Sequence, residues 1–283
     1  MPGLRAPQSI FRAACRKLVI FLLIVADNLR ITHPSVQAAL DRMDPEPIRD
    51  MVSRCVATGA QAIDINSGPL SRNPEKKMAF LVETVQSATT LPLILDTSNT
   101  KALEAGLIAC RNQAVINGFS PEPRKLSAIL PLAKKYHTDI IGYLLYPNSQ
   151  VPVGEEDCIQ IALELYEVFK KAGLDDEQLI IDPVVAPVIW EDGIVHNRNI
   201  LSVVRLLPDM LGFPVRTIAG ISNLATGSLP AETKRKLECA FLPMLAAAGL
   251  SMALINVFHT ETLKTARICH SFLNPGVFSW AGI

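Results

Sequence analysis

Eight short apolar runs recur along this chain, and most of them end in Asp, Asn or Gly. The runs end as IVADN (24–28), AIDIN (62–66), LILDTSN (93–99), AVINGFS (114–120), IIGYLLY (140–146), LIIDPVV (179–185), TIAGISN (217–223) and MALINVF (252–258). Near-continuous Ile, Val and Leu indicate strands that are buried on both faces, which is typical of a parallel sheet. This repetition limits the chain to folds that contain many short parallel strands.

The segments between these runs have helical spacing, with apolar residues three and four positions apart and charges on the opposite side. They are PEPIRDMVSRCVATGA (45–60), PEKKMAFLVETVQSAT (74–89), TKALEAGLIACR (100–111), EPRKLSAILPLAKKY (122–136), EDCIQIALELYEVFKKAG (156–173), RNILSVVRLLPDML (198–211) and TKRKLECAFLPMLAAAG (233–249). Gly59, Gly173 and Gly249 end three of them, where a helix terminus favours positive φ. We expect WEDGIVHNRN (190–199) to be a mobile loop after the sixth strand.

The strand count, the alternation and the chain length together predict an α/β fold, a closed (β/α)8 TIM barrel that forms a single domain over residues 18–283. A doubly wound open sheet is the chief alternative. That fold usually carries a glycine-rich first turn, and neither G-x-G-x-x-G nor G-x-x-x-x-G-K-[ST] occurs in the chain.

The N-terminal part is expected to be a poorly ordered extension over residues 1–17. Basic residues precede LVIFLLIVA (18–26), an arrangement that superficially matches a secretion signal. The run is too short to span a bilayer, and it continues into a strand ending like the others. We therefore interpret it as a buried strand of a cytoplasmic protein that does not insert into a membrane.

Charge and cysteine content exclude several kinds of partner. Lys plus Arg and Asp plus Glu number 27 each, so no net charge indicates a nucleic-acid partner. The chain lacks any C-x-x-C pair, which indicates reduced thiols and neither disulfides nor zinc. The scattered cysteines are Cys15, Cys55, Cys110, Cys158, Cys239 and Cys269.

The histidines give no metal-binding pattern either, because no H-x-x-x-H or similar pair occurs. We interpret His33, His137, His259 and His270 as caps or surface residues, with His259 placed near the end of the eighth strand. The lone tryptophans, Trp190 and Trp280, are more often packing residues than ligand-stacking residues.

Polar residues at the strand ends are the main candidates for function. In a barrel the carboxyl ends of the strands meet at one mouth, so these side chains would face a shared ligand. The residues placed in this way are Asp27, Asn28, Asp64, Asn66, Asp96, Asn117, Asp182, Ser222 and Asn223. Each one alone could equally cap a helix or close a turn. Together, carboxylates and amides suit a flat heterocycle with N–H groups and a carbonyl, or a divalent cation.

Several of these segments resemble a known family. AQAIDINSGP, LILDTSNTKALEAGL, AVINGFS, LIIDPVVAP and IAGISN are similar, in this order, to the pterin-binding methyltransferases that move a methyl group from methyltetrahydrofolate to a corrinoid. The most specific pieces are the D-x-x-N-x-x-A-x-E-A-G-L block that begins at Asp96 and the G-[IL]-S-N motif that begins at Gly220. The superfamily includes dihydropteroate synthase and the folate module of cobalamin-dependent methionine synthase.

The resemblance implies substrates, partners and site residues. Methyltetrahydrofolate and tetrahydrofolate would be substrates, a cobalamin (corrinoid) would be free or supplied by a partner protein, the protein itself would hold no metal, and the chain would form a homodimer. The pterin ring would be held by Asp96, Asn117 and Asp182, with Asp64 as a further carboxylate. Asn223 would reach N5, the nitrogen that carries the methyl group, by donating to neutral N5 or accepting from protonated N5, while Asp182 completes the network.

The chain departs from the family at the first strand, where ADNLRIT replaces the usual G-E-[RK]-I-N. This substitution leaves the roles of Asp27, Asn28 and Arg30 open. The chain also lacks the D-x-H-x-x-G motif of cobalamin-binding domains, so we interpret His196 in DGIVHNRN as a loop residue.

Two alternative functions share the same pterin residues. Dihydropteroate synthase would need a Ser-Arg-Lys run at the seventh strand and Arg-x-His at the eighth, where this chain has ISNLATG and INVFHTE. A pterin-binding barrel without catalytic activity is the other alternative. The retained Asn223 favours the methyltransferase.

Overall fold

Eight parallel strands close into a barrel in which strands that are neighbours in sequence are neighbours in space. The computed structural model describes residues 22–274. The strands are β1 Leu23–Arg30, β2 Ala62–Asn66, β3 Leu93–Asp96, β4 Ala114–Phe119, β5 Asp139–Tyr143, β6 Leu179–Asp182, β7 Arg216–Gly220 and β8 Met252–Ile255. β8 pairs with β1 and completes the ring. The predicted (β/α)8 barrel is confirmed, whereas the predicted extension over residues 1–17 lies outside the described residues.

Helices cover the outside of the barrel. They are α1 Pro34–Arg42, α2 Glu46–Ala57, α3 Pro74–Ala88, α4 Thr100–Ala109, α5 Pro123–Tyr136, α6 Glu155–Lys171, α7 Gly193–Leu211, α8 Ala231–Ala248 and α9 Thr260–Leu273. The sequence patterns predicted α2 to α8 and missed α1 and α9. Gly59, Gly173 and Gly249 have the predicted positive φ, at +79°, +74° and +110°. Within residues 22–274, no helix is long and apolar enough to cross a membrane.

The predicted mobile loop at residues 190–199 is wrong, because α7 begins at Gly193. His196 is therefore a helical residue and not a loop residue, and it is 1% exposed. Its Nε2 lies 2.7 Å from the carbonyl oxygen of Val184. Asn197 is also buried and accepts from the amide of Ala186 at 3.0 Å. Two polar residues on the buried face obscured the helical pattern in the sequence.

Apolar side chains fill the middle of the barrel interior. Val25, Ile94, Val115, Ile141, Ile180, Ile218 and Met252 belong to one buried cluster. Because side chains alternate between the two faces of a strand, the residue two positions further along also points inward. This alternation places Asp96 beyond Ile94, Asn117 beyond Val115 and Asp182 beyond Ile180.

The same alternation places a buried ion pair at the amino ends of the strands. Asp139 precedes Ile141 on β5, and Arg216 precedes Ile218 on β7. The guanidinium Nη1 of Arg216 lies 3.0 Å from Oδ2 of Asp139, and these side chains are 4% and 1% exposed. The apolar middle of the barrel therefore lies between a charge-paired layer at the bottom and a polar layer at the mouth.

Candidate active site at the barrel mouth

A polar layer lies directly above the apolar filling at the carboxyl ends of β2 to β6. We call Asp64, Asp96, Asn117, Tyr143 and Asp182 the mouth layer. Register pairs Asp96 with Asn117 across β3 and β4, and Tyr143 with Asp182 across β5 and β6. The structure thus brings together the residues that the sequence predicted for pterin binding on the second, third, fourth and sixth strands.

Asp96 ends β3 within hydrogen-bonding distance of a neighbouring amide. Asn66 at the end of β2 donates from Nδ2 to Oδ2 of Asp96 at 2.6 Å. Burial raises the pKa of Asp96 to about 6, and the charge of Arg30 acts in the opposite direction. Near neutral pH this carboxyl is therefore mostly ionised and can accept a hydrogen bond from a ligand.

Asp64 is the most deeply buried carboxylate of the mouth layer, at 1% exposure. Among the described residues, its Oδ1 has no hydrogen-bond partner. Burial raises the pKa of Asp64 well above its ordinary value, and the negative charges of Asp96 and Asp27 add to the rise. A buried carboxyl oxygen without a partner is costly, which is typical of a site that a polar ligand completes.

Asp182 ends β6 and has one fixed oxygen. Its Oδ1 accepts from the backbone amide of Val184 at 2.7 Å. Burial raises the pKa of Asp182 to about 7. The turn contact accounts for one oxygen only, so the other oxygen is available for a ligand in the barrel mouth. Turn closure and ligand binding are therefore compatible at this residue.

Tyr143 is a member of the mouth layer that sequence reasoning missed. Its hydroxyl donates to Oδ1 of Asn117. Burial raises the pKa of Tyr143 well above its ordinary value, and the negative charges of Asp96 and Asp182 raise it further. The phenol therefore keeps its proton. The sequence contained one indication of this position. Tyr143 lies two residues after Ile141, and side chains two positions apart on a strand point in the same direction.

The β1 residues whose roles were open divide into two groups. Arg30 donates from Nη2 to the carboxylate of Asp27 and to Oγ of Ser222, the latter at 3.1 Å. This contact joins β1 to the 3-10 turn Ile221–Ala225 that follows β7. Asn28 instead bonds to the residue that follows β8, because its Nδ2 donates to Oδ1 of Asn256 at 2.6 Å. Arg30 and Asp27 therefore face the mouth, and Asn28 holds the barrel seam together.

Asn223 lies on the rim of the mouth, in the 3-10 turn, with an exposed side chain. A Cβ atom added to Gly220 would lie 3.1 Å from Nδ2 of Asn223, so the glycine leaves room for this amide. Asn223 also lines a cavity of about 550 Å³ together with Asp27, Arg30 and Ser222. Gly220 and Asn223 are thus neighbours, as the motif that contains them requires.

The interpretation of the histidines as caps or surface residues is confirmed for His33, His137 and His259. His33 and His259 occupy the N-cap positions of α1 and α9, and His137 ends α5. His270 is in α9, and its Nδ1 lies 3.0 Å from the carbonyl oxygen of Leu22. Between residues 22 and 274, no cluster of three or more His, Cys, Asp or Glu residues has an arrangement that could hold a metal ion.

Comparison with known proteins agrees with this geometry. A methylcorrinoid:tetrahydrofolate methyltransferase from Eubacterium limosum is 24% identical over 264 residues, which cover 89% of this chain and 94% of that protein. A methionine synthase from Mycobacterium tuberculosis is 24% identical over 226 residues, which cover 75% of this chain and 18% of that longer protein.

The solved structures share the fold. A dihydropteroate synthase from Xanthomonas albilineans in complex with 7,8-dihydropteroate has a TM-score of 0.64 and 20% identity, over 88% of this chain and 93% of that chain. The family of pterin binding enzymes matches residues 29–256, which is most of the chain. The membership predicted from the sequence is confirmed: this chain belongs to the pterin binding enzyme family.

Proposed function

We propose that this chain is a methyltransferase that moves the N5 methyl group between methyltetrahydrofolate and the cobalt(I) of a corrinoid, either free or carried by a corrinoid protein. The observation that carries the proposal is the mouth layer, in which one buried carboxylate, two half-buried carboxylates and one amide lie at the same end of the barrel. The similarity to a methylcorrinoid:tetrahydrofolate methyltransferase over 89% of the chain supports this choice of reaction.

The mouth layer suits the edge of a pterin ring. Asp96 and Asp182 can accept hydrogen bonds from the N–H and amino groups of the ring, and Asn117 supplies an amide on β4. Burial raises the pKa of each of these carboxyls, to about 6 and about 7. A ligand that donates hydrogen bonds to the ionised form offsets this cost of burial. Asp64, whose Oδ1 has no partner in residues 22–274, adds a further acceptor.

Asn223 and Asp182 are the proposed catalytic residues. Methyl transfer from N5 leaves electron density on a poor leaving group, so a hydrogen bond or proton at N5 in the transition state lowers the barrier. The amide of Asn223 can donate to neutral N5 or accept from protonated N5. Asp182, with a pKa near neutrality, can hold a proton in the mouth. The cobalt centre belongs to the methyl-accepting substrate.

The residues at the ends of β7 and β8 favour this reaction over dihydropteroate synthesis. A pyrophosphate-releasing site needs cationic side chains, and these strand ends carry Ser222, Asn223, Asn256 and His259. Arg30 is a cation at the mouth, but its guanidinium already donates to Asp27 and Ser222. Its charge is therefore largely neutralised before a ligand binds.

The direct test is an anaerobic mixture of the purified protein, methyltetrahydrofolate and cob(I)alamin, followed by the absorption change of the cobalt. Methylation of cobalt that depends on the protein is the expected result. Folate binding without methyl turnover, with either free cobalamin or a corrinoid protein as acceptor, would favour the non-catalytic barrel. Formation of dihydropteroate from p-aminobenzoate and a pterin pyrophosphate would favour the synthase.

A cytoplasmic homodimer is also part of this proposal. The dimer is supported by exposed apolar side chains on consecutive outer helices, namely Leu206, Met210, Met244 and Ile268. Light scattering coupled to size exclusion tests the dimer, and a monomeric mass across the micromolar range contradicts it.

A further inference from the structure

The loop between β6 and α7 contains a β-branched residue in a backbone conformation that such residues rarely adopt. Val184 has a φ of +61°, in the left-handed region. Steric crowding makes this region unfavourable for a side chain that is branched at Cβ. A strained residue of this kind persists only where its surroundings hold it in place. The contacts of Val184 therefore indicate what its conformation serves.

Both backbone polar groups of Val184 form contacts, and the two contacts lie in different parts of the molecule. Its N–H donates to Oδ1 of Asp182 at 2.7 Å. Its carbonyl oxygen lies 2.7 Å from Nε2 of His196, near the start of α7. Val184 thus connects the imidazole of His196 to the carboxylate of Asp182 in the mouth layer.

His196 is itself held at both ring nitrogens. It is buried, and its Nδ1 lies 2.5 Å from the carbonyl oxygen of Pro152, in the loop between β5 and α6. A carbonyl oxygen only accepts, so each ring nitrogen that contacts one does so as a donor when it carries a proton. The imidazole therefore lies between the loops that follow β5 and β6, and it fixes the position of the Val184 carbonyl.

We propose that His196 is a positioning residue of the barrel mouth. By donating to the carbonyl of Val184, it holds that residue in its left-handed conformation and keeps the Val184 amide directed at Oδ1 of Asp182. The second oxygen of Asp182 then stays available for a ligand. The proposal rests on the proposed function for the role of Asp182, and it adds a residue of an outer helix to the same site. His196 acts through Val184 and does not touch the substrate.

The amide contact has a measurable effect on Asp182. Burial raises the pKa of Asp182 to about 7, and the hydrogen bond from Val184 acts in the opposite direction. Tyr143 is the titratable neighbour on β5, and Glu191 and Asp192 line a cavity together with His196 on the other side of the loop. If Val184 loses its support, the donor is withdrawn, and the pH at which Asp182 loses its proton rises.

Two amide variants separate the two contacts of His196. In His196→Gln the side-chain amide reaches the position of Nε2 and can still donate to Val184, whereas in His196→Asn it reaches only the position of Nδ1, beside Pro152. We expect the titration midpoint of Asp182 to rise by about one pH unit in His196→Asn and to stay near the wild-type value in His196→Gln. Carbon-13 NMR of protein with labelled aspartate carboxyls measures the midpoint, and Asp182→Asn identifies the signal.

A control variant and a double variant exclude a general loosening of the loop. Asn197→Ala is the control, because Asn197 is buried on the same helix but bonds to Ala186. It should lower stability and leave the midpoint of Asp182 in place. In calorimetry, His196→Asn should weaken the binding of methyltetrahydrofolate about 3- to 10-fold, and it should have no further effect in the Asp182→Asn background.

The outcomes separate this proposal from the proposed function. Equal midpoints in the two His196 variants, or the same shift in Asn197→Ala, overturn the positioning role whether or not a folate binds. Additive losses of affinity in the His196→Asn, Asp182→Asn double variant also overturn it. Failure of the wild-type protein to bind methyltetrahydrofolate overturns the proposed function, while the NMR midpoints still decide whether His196 acts on Asp182 through Val184.

Discussion

Both ends of the barrel bury carboxylates, but Asp139 at the amino end is paired with a buried cation, whereas Asp64 at the mouth forms no ion pair among the described residues. At the amino end, Asp139 is 1% exposed and lies 3.0 Å from Arg216. At the mouth, Asp64 is equally buried, and one of its oxygens has no partner among residues 22–274. A buried carboxylate that is paired with a cation is tolerated in the fold as long as the pair is intact. A buried carboxylate without such a partner lowers the stability of the fold, and a ligand that donates a hydrogen bond to it can offset this loss.

The presence of a paired cation distinguishes Asp139 from the candidate substrate-binding carboxylates at the mouth better than burial does. Asp139 and Asp182 both point into the barrel and differ in position by only one layer of apolar side chains. Burial raises the pKa of Asp182 to about 7, and its one fixed contact is the amide of Val184. The carboxylates at the mouth that have no ion-pair partner are therefore the ones expected to bind the substrate.

The largest effect is expected at the amino end. Arg216→Met removes the cation and leaves Asp139 buried and charged, which should lower the free energy of unfolding by about 3–5 kcal/mol. Denaturant unfolding measures this loss. Arg235→Met is the control, because Arg235 forms a pair with the largely exposed Glu261 and should cost less than about 1 kcal/mol. Similar losses of unfolding free energy in both variants would contradict the structural role assigned to the buried Asp139–Arg216 pair.

The second effect concerns the rim. Asn223→Ala should lower the single-turnover rate of methyl transfer about 10²–10³-fold while it changes folate affinity less, because the amide acts mainly in the transition state. Asn223→Asp should keep more activity at low pH than at high pH, since a carboxylate accepts from protonated N5 but cannot donate. Stopped-flow rates across pH measure both. Rates that match those of an exposed control, Asn148→Ala, would make Asn223 a turn residue.

The third effect is a gain in stability at the mouth. The pKa of Asp182 is about 7 in the folded protein and about 3.8 when unfolded, so the folded state holds the extra proton. The stability contributed by that proton is complete below pH 3.8 and is lost as pH rises through 7. Asp182→Asn should therefore raise the free energy of unfolding at pH 8 by about 2–4 kcal/mol and have little effect near pH 4. A gain that does not depend on pH would contradict this assignment.

The smallest effect concerns affinity. Asp96→Ala and Asn117→Ala should each weaken pterin binding by about 1–3 kcal/mol, because each leaves a ring group without its partner in a buried pocket. Calorimetry with both variants tests this, and Asp41→Ala on the outer helix α1 serves as the control. Unchanged affinity would mean that the mouth layer serves the barrel and not a ligand.

The sequence predicted the fold well because the barrel depends on local regularities. Most strand ends were visible as an apolar run that stops at Asp, Asn or Gly, and the segments between the runs had the spacing of outer helices. The prediction was wrong at residues 190–199, where buried His196 and Asn197 satisfy their polar groups through backbone contacts that no sequence pattern reveals. It also missed α1 and α9, for which no helical pattern was recognised.

The candidate site was predicted in part, for a similar reason. Asp64, Asp96, Asn117 and Asp182 follow from strand position alone, and the structure brings them together. Tyr143 was not predicted as a site residue, because an aromatic residue near a strand end is commonly a packing residue. The contact of Arg30 with Ser222 joins residues that are 192 positions apart, so only the closed barrel reveals it.

The hydrogen bond from Tyr143 to Asn117 has a consequence for which ligands the pocket admits. Because the phenol donates to Oδ1, the NH₂ group of Asn117 points away from Tyr143, and the Asn117 side chain also forms a hydrogen bond with Asp64. If a heterocycle binds there as proposed, we expect it to present a lone pair to the remaining hydrogen of this NH₂ group. We therefore expect the hydroxyl of Tyr143, through the orientation it gives to Asn117, to influence which tautomer of the heterocycle binds.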